Sequence, residues 1–217
     1  MTKTAWLSLD QAKAIKEKIP TPFHIYNESM IRQNARALYQ AFSWNKGFKE
    51  YFAVKATPNP QILKILQEEG CGVDCSSLSE LIMSDRVGFK GHDIMFSSNA
   101  TPVEDFRKAF ELGAIINFDD ISHIPFFLEH VSPELPEEIS FRYNPGGIYE
   151  VSNGIMDNPG EAKYGMTHDH IMKAARLVRD KGVKRLGLHA FLVSNAIGND
   201  YYPELARTLF DLAVEVS

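Results

Sequence analysis

Cysteine is scarce in this chain. Only Cys71 and Cys75 occur among 217 residues. Two thiols cannot form a disulfide framework, and no second pair follows at the spacing of a zinc site. No structural metal is expected, and two reduced thiols in or beside a strand suit a cytoplasmic protein. Long apolar runs are also missing: nothing approaches the roughly 20 residues a membrane-spanning helix needs. The stretch Met1–Pro20 scatters Lys3, Lys13, Lys16 and Lys18 among apolar residues, so it lacks the continuous core of a secretory signal. It reads as a short amphipathic helix. Nor is there an excess of positive charge. The chain has 23 Lys and Arg against 28 Asp and Glu, a net charge of -5. That balance gives no reason to expect nucleic acid or an anionic membrane as partner.

What is present is a regular alternation. Short runs rich in Val, Ile, Phe and Tyr read as strands: Tyr51–Val54, Cys71–Cys75, Asp93–Phe96, Ala114–Phe118, Ile139–Tyr143 and Leu186–Leu192. Helix-patterned stretches lie between them: Gln61–Glu69, Leu78–Val87, Pro102–Leu112, Ile121–His130 and His170–Lys181. Thr101-Pro102 suggests a cap followed by a first-turn proline, and Gly70, Gly88, Gly113 and Gly182 follow helix ends. Strands recurring at roughly twenty-odd residues predict an α/β protein with a parallel sheet. Both a doubly wound open sheet and a (β/α)8 TIM barrel fit that rhythm. The first strand runs into Lys55-Ala56-Thr57-Pro58-Asn59-Pro60 and not into a glycine-rich phosphate loop, which favours the barrel. Pro22–Tyr26 is strand-like, stands outside the pattern and precedes a long helix, roughly Glu28–Phe42. Residues 1–27 are therefore read as an N-terminal helix and opening strand, and 28–217 as a barrel domain with about six strand–helix units.

Active sites of barrels lie at the C-terminal ends of the strands. Polar residues collect there: Lys55, Asp74 with Cys75 and Ser76, Ser97-Ser98-Asn99, Asp119, Arg142 with Asn144, and His189 with Ser194. Strand alternation places Lys55 with Tyr51 and Ala53, and Phe191 with Gly187 and His189. Lys55, Asp74, Arg142, His189 and Phe191 are thus expected to face the barrel axis. Each has an ordinary structural use when taken singly. Lys55 could be solvated, Asp74 could cap the next helix, Arg142 could sit in a buried ion pair, and His189 could be a satisfied core residue. Their joint arrival at one end is harder to explain so. An ammonium flanked by Phe52, Val54 and Ala56 is expected to be partly desolvated, which favours the neutral, nucleophilic amine.

Several segments in order resemble one family, the pyridoxal-phosphate (PLP) decarboxylases of the diaminopimelate/ornithine type, whose barrel is PLP fold type III. They are Tyr51-Phe52-Ala53-Val54-Lys55-Ala56, Gly72–Leu81, Asn117-Phe118-Asp119-Asp120, Arg142-Tyr143-Asn144-Pro145-Gly146, Lys163-Tyr164-Gly165-Met166 and Gly187-Leu188-His189. Thr21–Tyr26 resembles the family's opening strand. The resemblance implies pyridoxal 5'-phosphate as cofactor, with Lys55 as catalytic residue and covalent attachment point. Asp74 would orient Lys55, Arg142 would lie near the ring, and His189 would stand beside the cofactor. Ser194 would reach the phosphate, and the long loop Gly147–His168, with Lys163 and Tyr164, would border the substrate. The family's usual His-x-His-x-Gly-Ser reads His189-Ala190-Phe191-Leu192-Val193-Ser194 here, so Phe191 takes the ring-stacking position and Val193 replaces glycine.

The later glycine-rich phosphate loop, the acidic partner of the pyridine nitrogen and the Cys and Tyr of a second domain have no counterpart. The chain is expected to be the front part of such an enzyme, lacking the C-terminal β domain and inactive alone. The implied reaction is decarboxylation of an amino acid, foremost meso-diaminopimelate to L-lysine in lysine biosynthesis, by a cytoplasmic homodimer when full length. Carboxynorspermidine decarboxylase and a non-catalytic single-domain PLP-binding protein are the alternatives.

Overall fold

A computed structural model of the chain describes residues 5–147, 160, 162–193 and 198–217. It begins with α1 (Leu9–Lys18) and α2 (Glu28–Ala41). Strand–helix units follow: β1 (Tyr51–Ala53), α3 (Pro60–Glu68), β2 (Gly72–Cys75), α4 (Leu78–Val87), β3 (Ile94–Ser97), α5 (Val103–Glu111), β4 (Ile115–Phe118) and α6 (His123–His130). The remainder is β5 (Glu138–Arg142), α7 (His168–Asp180), β6 (Arg185–His189) and α8 (Tyr201–Val216).

The six strands form one sheet in the order β1-β2-β3-β4-β5-β6, every neighbouring pair parallel. A doubly wound sheet reverses its strand order at a switch point. This one never reverses, so each unit adds beside the last, as in a barrel. The register sorts the side chains. Cys75, Phe96, Ile116 and Ile139 are successive partners, fully buried, and form the core with the helices. Ser97, Asn117, Ser140 and Gly187 form the next row and lie on the opposite face. That opposite face is the polar one.

Helix α5 illustrates how sequence builds this layer. Phe106 and Ala109, three apart, sit fully inside. Phe106 meets Phe96, Phe118 and Phe127 at ring-centroid distances of 6.1, 5.8 and 5.7 Å. Buried Asp105 accepts the backbone N–H of Leu78 at 3.0 Å, satisfying one orphan donor at the start of α4. On the other flank, Arg32 and Arg36 of α2 pair with Glu69 at the end of α3, at 3.0 and 2.6 Å.

Several boundaries differ from expectation. Pro102 itself takes the N-cap position of α5, because α5 begins at Val103. Pro22–Tyr26 is irregular and pairs with no strand among the described residues. The first strand ends at Ala53, and Val54–Ala56 form a 3-10 turn closed by the Thr57 N–H donating to the Val54 carbonyl. Pro58 and Pro60 just beyond lack the N–H groups a longer ladder needs. The sixth strand stops at His189, so Phe191 lies beyond it.

Candidate active site

Because all six strands are parallel, their C-terminal ends share one side of the sheet. A cleft of about 460 Å³ opens there, lined by Lys55, Ser76, Ser97, Ser98, Asn99, Arg142, Tyr164 and Phe191. These residues come from the ends of β1, β2, β3, β5 and β6 and from the β5–α7 loop. A second cleft of about 470 Å³ lies outside β6, against α7 and α8. Its lining is largely apolar, with Leu186, Leu188, Leu209 and Phe210, and it holds none of the strand-end residues.

Lys55 reaches the cleft from the 3-10 turn and not from the face of a strand. It is exposed, so the expected desolvation of its ammonium is not met. The turn explains why: Val54 points into the core, fully buried, and carries the next residue outward. The Lys55 ammonium instead stands 5.3 Å from the Phe191 ring centroid, and the Arg142 guanidinium stands 5.4 Å from the same ring. One aromatic ring thus faces two cations. Phe191 is 38% exposed, so it forms a wall of the cleft and not part of the core.

Arg142 is the most firmly held of the group. Its Nη1 donates to Asp119 Oδ1 at 2.9 Å, with the side chains only 10% and 4% exposed. Its guanidinium carbon also lies 4.4 Å from the Tyr164 ring centroid. The sequence placed Asp119 at a strand end and left it without a role; no local pattern announces a partner 23 residues away.

Asp74 does not cap the next helix. Asp105 serves α4 from another element, and Glu80 accepts from the Ser76 N–H at 2.9 Å. Asp74 Oδ1 is buried and has no hydrogen-bond partner among the described residues. Burial pushes its carboxyl up to about 6, while Ser97, Lys55 and Arg142 pull the other way. His189 Nδ1 is likewise buried without a partner among the described residues. Burial lowers its imidazolium to about 4, helped by Arg142 and Lys55. Lys163 is exposed and does not line the cleft, whereas its neighbour Tyr164 does. Ser194 and most of the loop Gly147–His168 lie outside the described residues.

These two shifts have opposite consequences for stability. Asp74 binds its proton more tightly folded than unfolded, so its contribution is full below about pH 4 and is lost as pH rises through about 6. His189 binds its proton less tightly folded, so its contribution is full above about 6.5 and is lost as pH falls through about 4. Across pH 4 to 6 the two offset one another. In the cofactor-free protein, Asp74→Asn is expected to gain about 2–3 kcal/mol relative to the parent as pH rises through that window. His189→Gln is expected to lose a similar amount over the same interval. Urea midpoints taken at each pH check this; three curves that stay parallel would refute it.

The chain is similar to proteins of known family. A family model described as "Pyridoxal-dependent decarboxylase, pyridoxal binding domain" matches residues 28–216. Protein TabA of Pseudomonas amygdali pv. tabaci is 40% identical over 178 residues, covering 82% of this chain and 41% of that protein. Diaminopimelate decarboxylase of Methanothermobacter thermautotrophicus is 30% identical over 211 residues, covering 94% of this chain and 48% of that protein. The crystal structure of diaminopimelate decarboxylase from M. jannaschii in complex with L-lysine superimposes with a TM-score of 0.84 at 25% identity. It covers 94% of this chain and 50% of that one. The chain spans about half the length of the relatives it matches. A match over most of its length, carried on an unreversed parallel sheet that forms part of a fold type III barrel, places the chain in the pyridoxal-dependent decarboxylase family, as its pyridoxal-binding domain.

Proposed function

We propose that this chain is the cofactor-holding part of a PLP-dependent amino-acid decarboxylase. The reaction of the whole protein is meso-diaminopimelate to L-lysine. The observation that carries the reading is the meeting of Lys55, Arg142, Tyr164 and Phe191 in one cleft at the strand ends.

The residues suit the group. PLP is a planar anion carrying an aldehyde. The cleft offers an amine, a fixed guanidinium, a flat aromatic face and the hydroxyls of Ser76, Ser97 and Ser98. Its volume falls within the range of small-molecule sites. Beside it, Asp74 Oδ1 and His189 Nδ1 are buried polar atoms that lack partners among the described residues. When bound, PLP supplies the electron sink for loss of the carboxylate. Lys55 holds the cofactor through its amine and is reached from solvent. Asp74, titrating at about 6, exists in both protonation states near neutrality and can take or return a proton at its carboxyl. His189 is neutral at neutral pH, so it orients by hydrogen bonding without adding a third positive charge. Arg142 supplies permanent positive charge, and Phe191 supplies a flat wall that excludes water. Tyr164 borders the substrate side.

Similarity to two diaminopimelate decarboxylases supports the choice of substrate. The test is product analysis. The PLP-loaded whole protein is offered meso-diaminopimelate, lysine and ornithine separately, and carbon dioxide and amine products are measured. Carbon dioxide with lysine from diaminopimelate alone is the expected result. Release from ornithine or lysine in preference would move the substrate elsewhere in the family, and release from none would remove the decarboxylase reading.

A further inference from the structure

Asp119 follows directly on β4 and uses both carboxylate oxygens. Oδ1 accepts from Arg142 Nη1 at 2.9 Å, and Oδ2 accepts from the backbone N–H of Gly165 at 3.2 Å. Gly165 is where the β5–α7 loop returns. Its φ is +88°, and a Cβ there would lie 3.0 Å from the Asn144 Cβ and 3.3 Å from the Asn144 nitrogen. The returning segment is stitched to the end of β5. The Met166 N–H donates to the Arg142 carbonyl at 2.7 Å, and the Asn144 N–H donates to the Met166 carbonyl at 2.8 Å. Asn144 Nδ2 donates to the Tyr164 carbonyl at 3.0 Å. One carboxylate therefore holds Arg142, one of the two cations of the cleft, directly, and holds Tyr164 through the backbone of the next residue.

An ion pair that only neutralised Arg142 would need one oxygen. A buried pair is moreover often no more stable than an apolar replacement of the same shape, so stability alone is a weak reason for it. The second oxygen goes to the loop that presents an aromatic ring 4.4 Å from the same guanidinium. We propose that Asp119 is a positioning residue that fixes Arg142 and Tyr164 against each other so that both line the cofactor cleft. This inference rests on the reading of that cleft as the PLP site.

The test is a PLP titration of cofactor-free protein, followed by visible absorbance, for the parent, Asp119→Asn, Tyr164→Ala and the double variant. Asparagine keeps the shape and one acceptor oxygen, and melting curves verify that each variant folds. Each single change is expected to weaken PLP binding about tenfold, and the double variant no more than the weaker single one, because both act through one arrangement. Asp119→Glu keeps the charge and displaces it; it is expected to lose affinity too, and parent-like binding would overturn the proposal. So would an Asp119→Asn affinity within about twofold of the parent, or a double variant losing the product of the single effects. Hydrogen exchange at the Gly165 amide reads the tether without any cofactor. It should quicken in Asp119→Asn while the amides of β3 stay unchanged, and an unchanged Gly165 amide would overturn the tether. If the parent takes up no PLP, the reading of the cleft fails, and this exchange measurement still decides whether Asp119 holds the loop.

Discussion

Lys55→Ala is expected to abolish covalent attachment of pyridoxal phosphate and the visible absorption that accompanies it. Several other lysines are already engaged. Lys49 pairs with Asp93, Lys90 and Lys108 pair with Asp85, and Lys184 pairs with Glu137. Lys163, the lysine nearest the site in sequence, is exposed and away from the cleft lining. Among the described residues only Lys55 brings an amine into the cleft, above the Phe191 ring. Borohydride reduction of the loaded parent followed by peptide mapping should place the pyridoxyl mass on Lys55, and the same treatment of Lys55→Ala should leave no label. The folded state should hardly notice. The side chain is exposed, and substitutions at such positions change stability by about 0.5 kcal/mol or less. A labelled peptide containing Lys163, or an unaltered absorption band in Lys55→Ala, would remove Lys55 from the proposed role.

Phe106→Ala is expected to produce the largest loss of stability, about 3–5 kcal/mol. Phe106 is 1% exposed and is the hub of the aromatic layer between the sheet and its helices. Besides Phe96, Phe118 and Phe127 it meets His123 at 5.5 Å and Phe126 at 6.3 Å. Truncation removes the transfer free energy of a benzyl group and leaves a cavity that five surrounding rings cannot close together. Against a typical domain stability of about 5–15 kcal/mol, that is a large share. Phe110, one turn further along α5 and 39% exposed, provides the control: Phe110→Ala should cost much less. Urea denaturation of both variants measures the difference. Equal losses would mean that the layer is looser than its burial indicates.

Lys55 and Phe191 mark how far the site was legible. Both were placed in it from strand periodicity, and both line the cleft. Yet neither belongs to a strand: Lys55 sits in a 3-10 turn and Phe191 follows the end of β6. Alternation within a run says which residues share a face, but where a strand stops depends on how far its neighbours continue the ladder. The same limit explains the exposed Lys55. Its flanking residues are apolar, but flanking residues in sequence are not neighbours in space once Val54 turns inward.

The linear pattern by itself determined the strand–helix alternation, the polar strand ends and the relation to one family. Those depend on local periodicity and residue chemistry, which every short window carries. Tertiary structure decided three other things. The unreversed strand order separated a barrel from a doubly wound sheet, because both have the same rhythm of elements. Pairing across 23 and 46 residues gave Asp119 its hold on Arg142 and Gly165. Burial from all sides set the titration of Asp74 and His189. Each of these is a property of groups brought together from distant parts of the chain, and desolvation and long-range pairing exist only after the chain has closed around them.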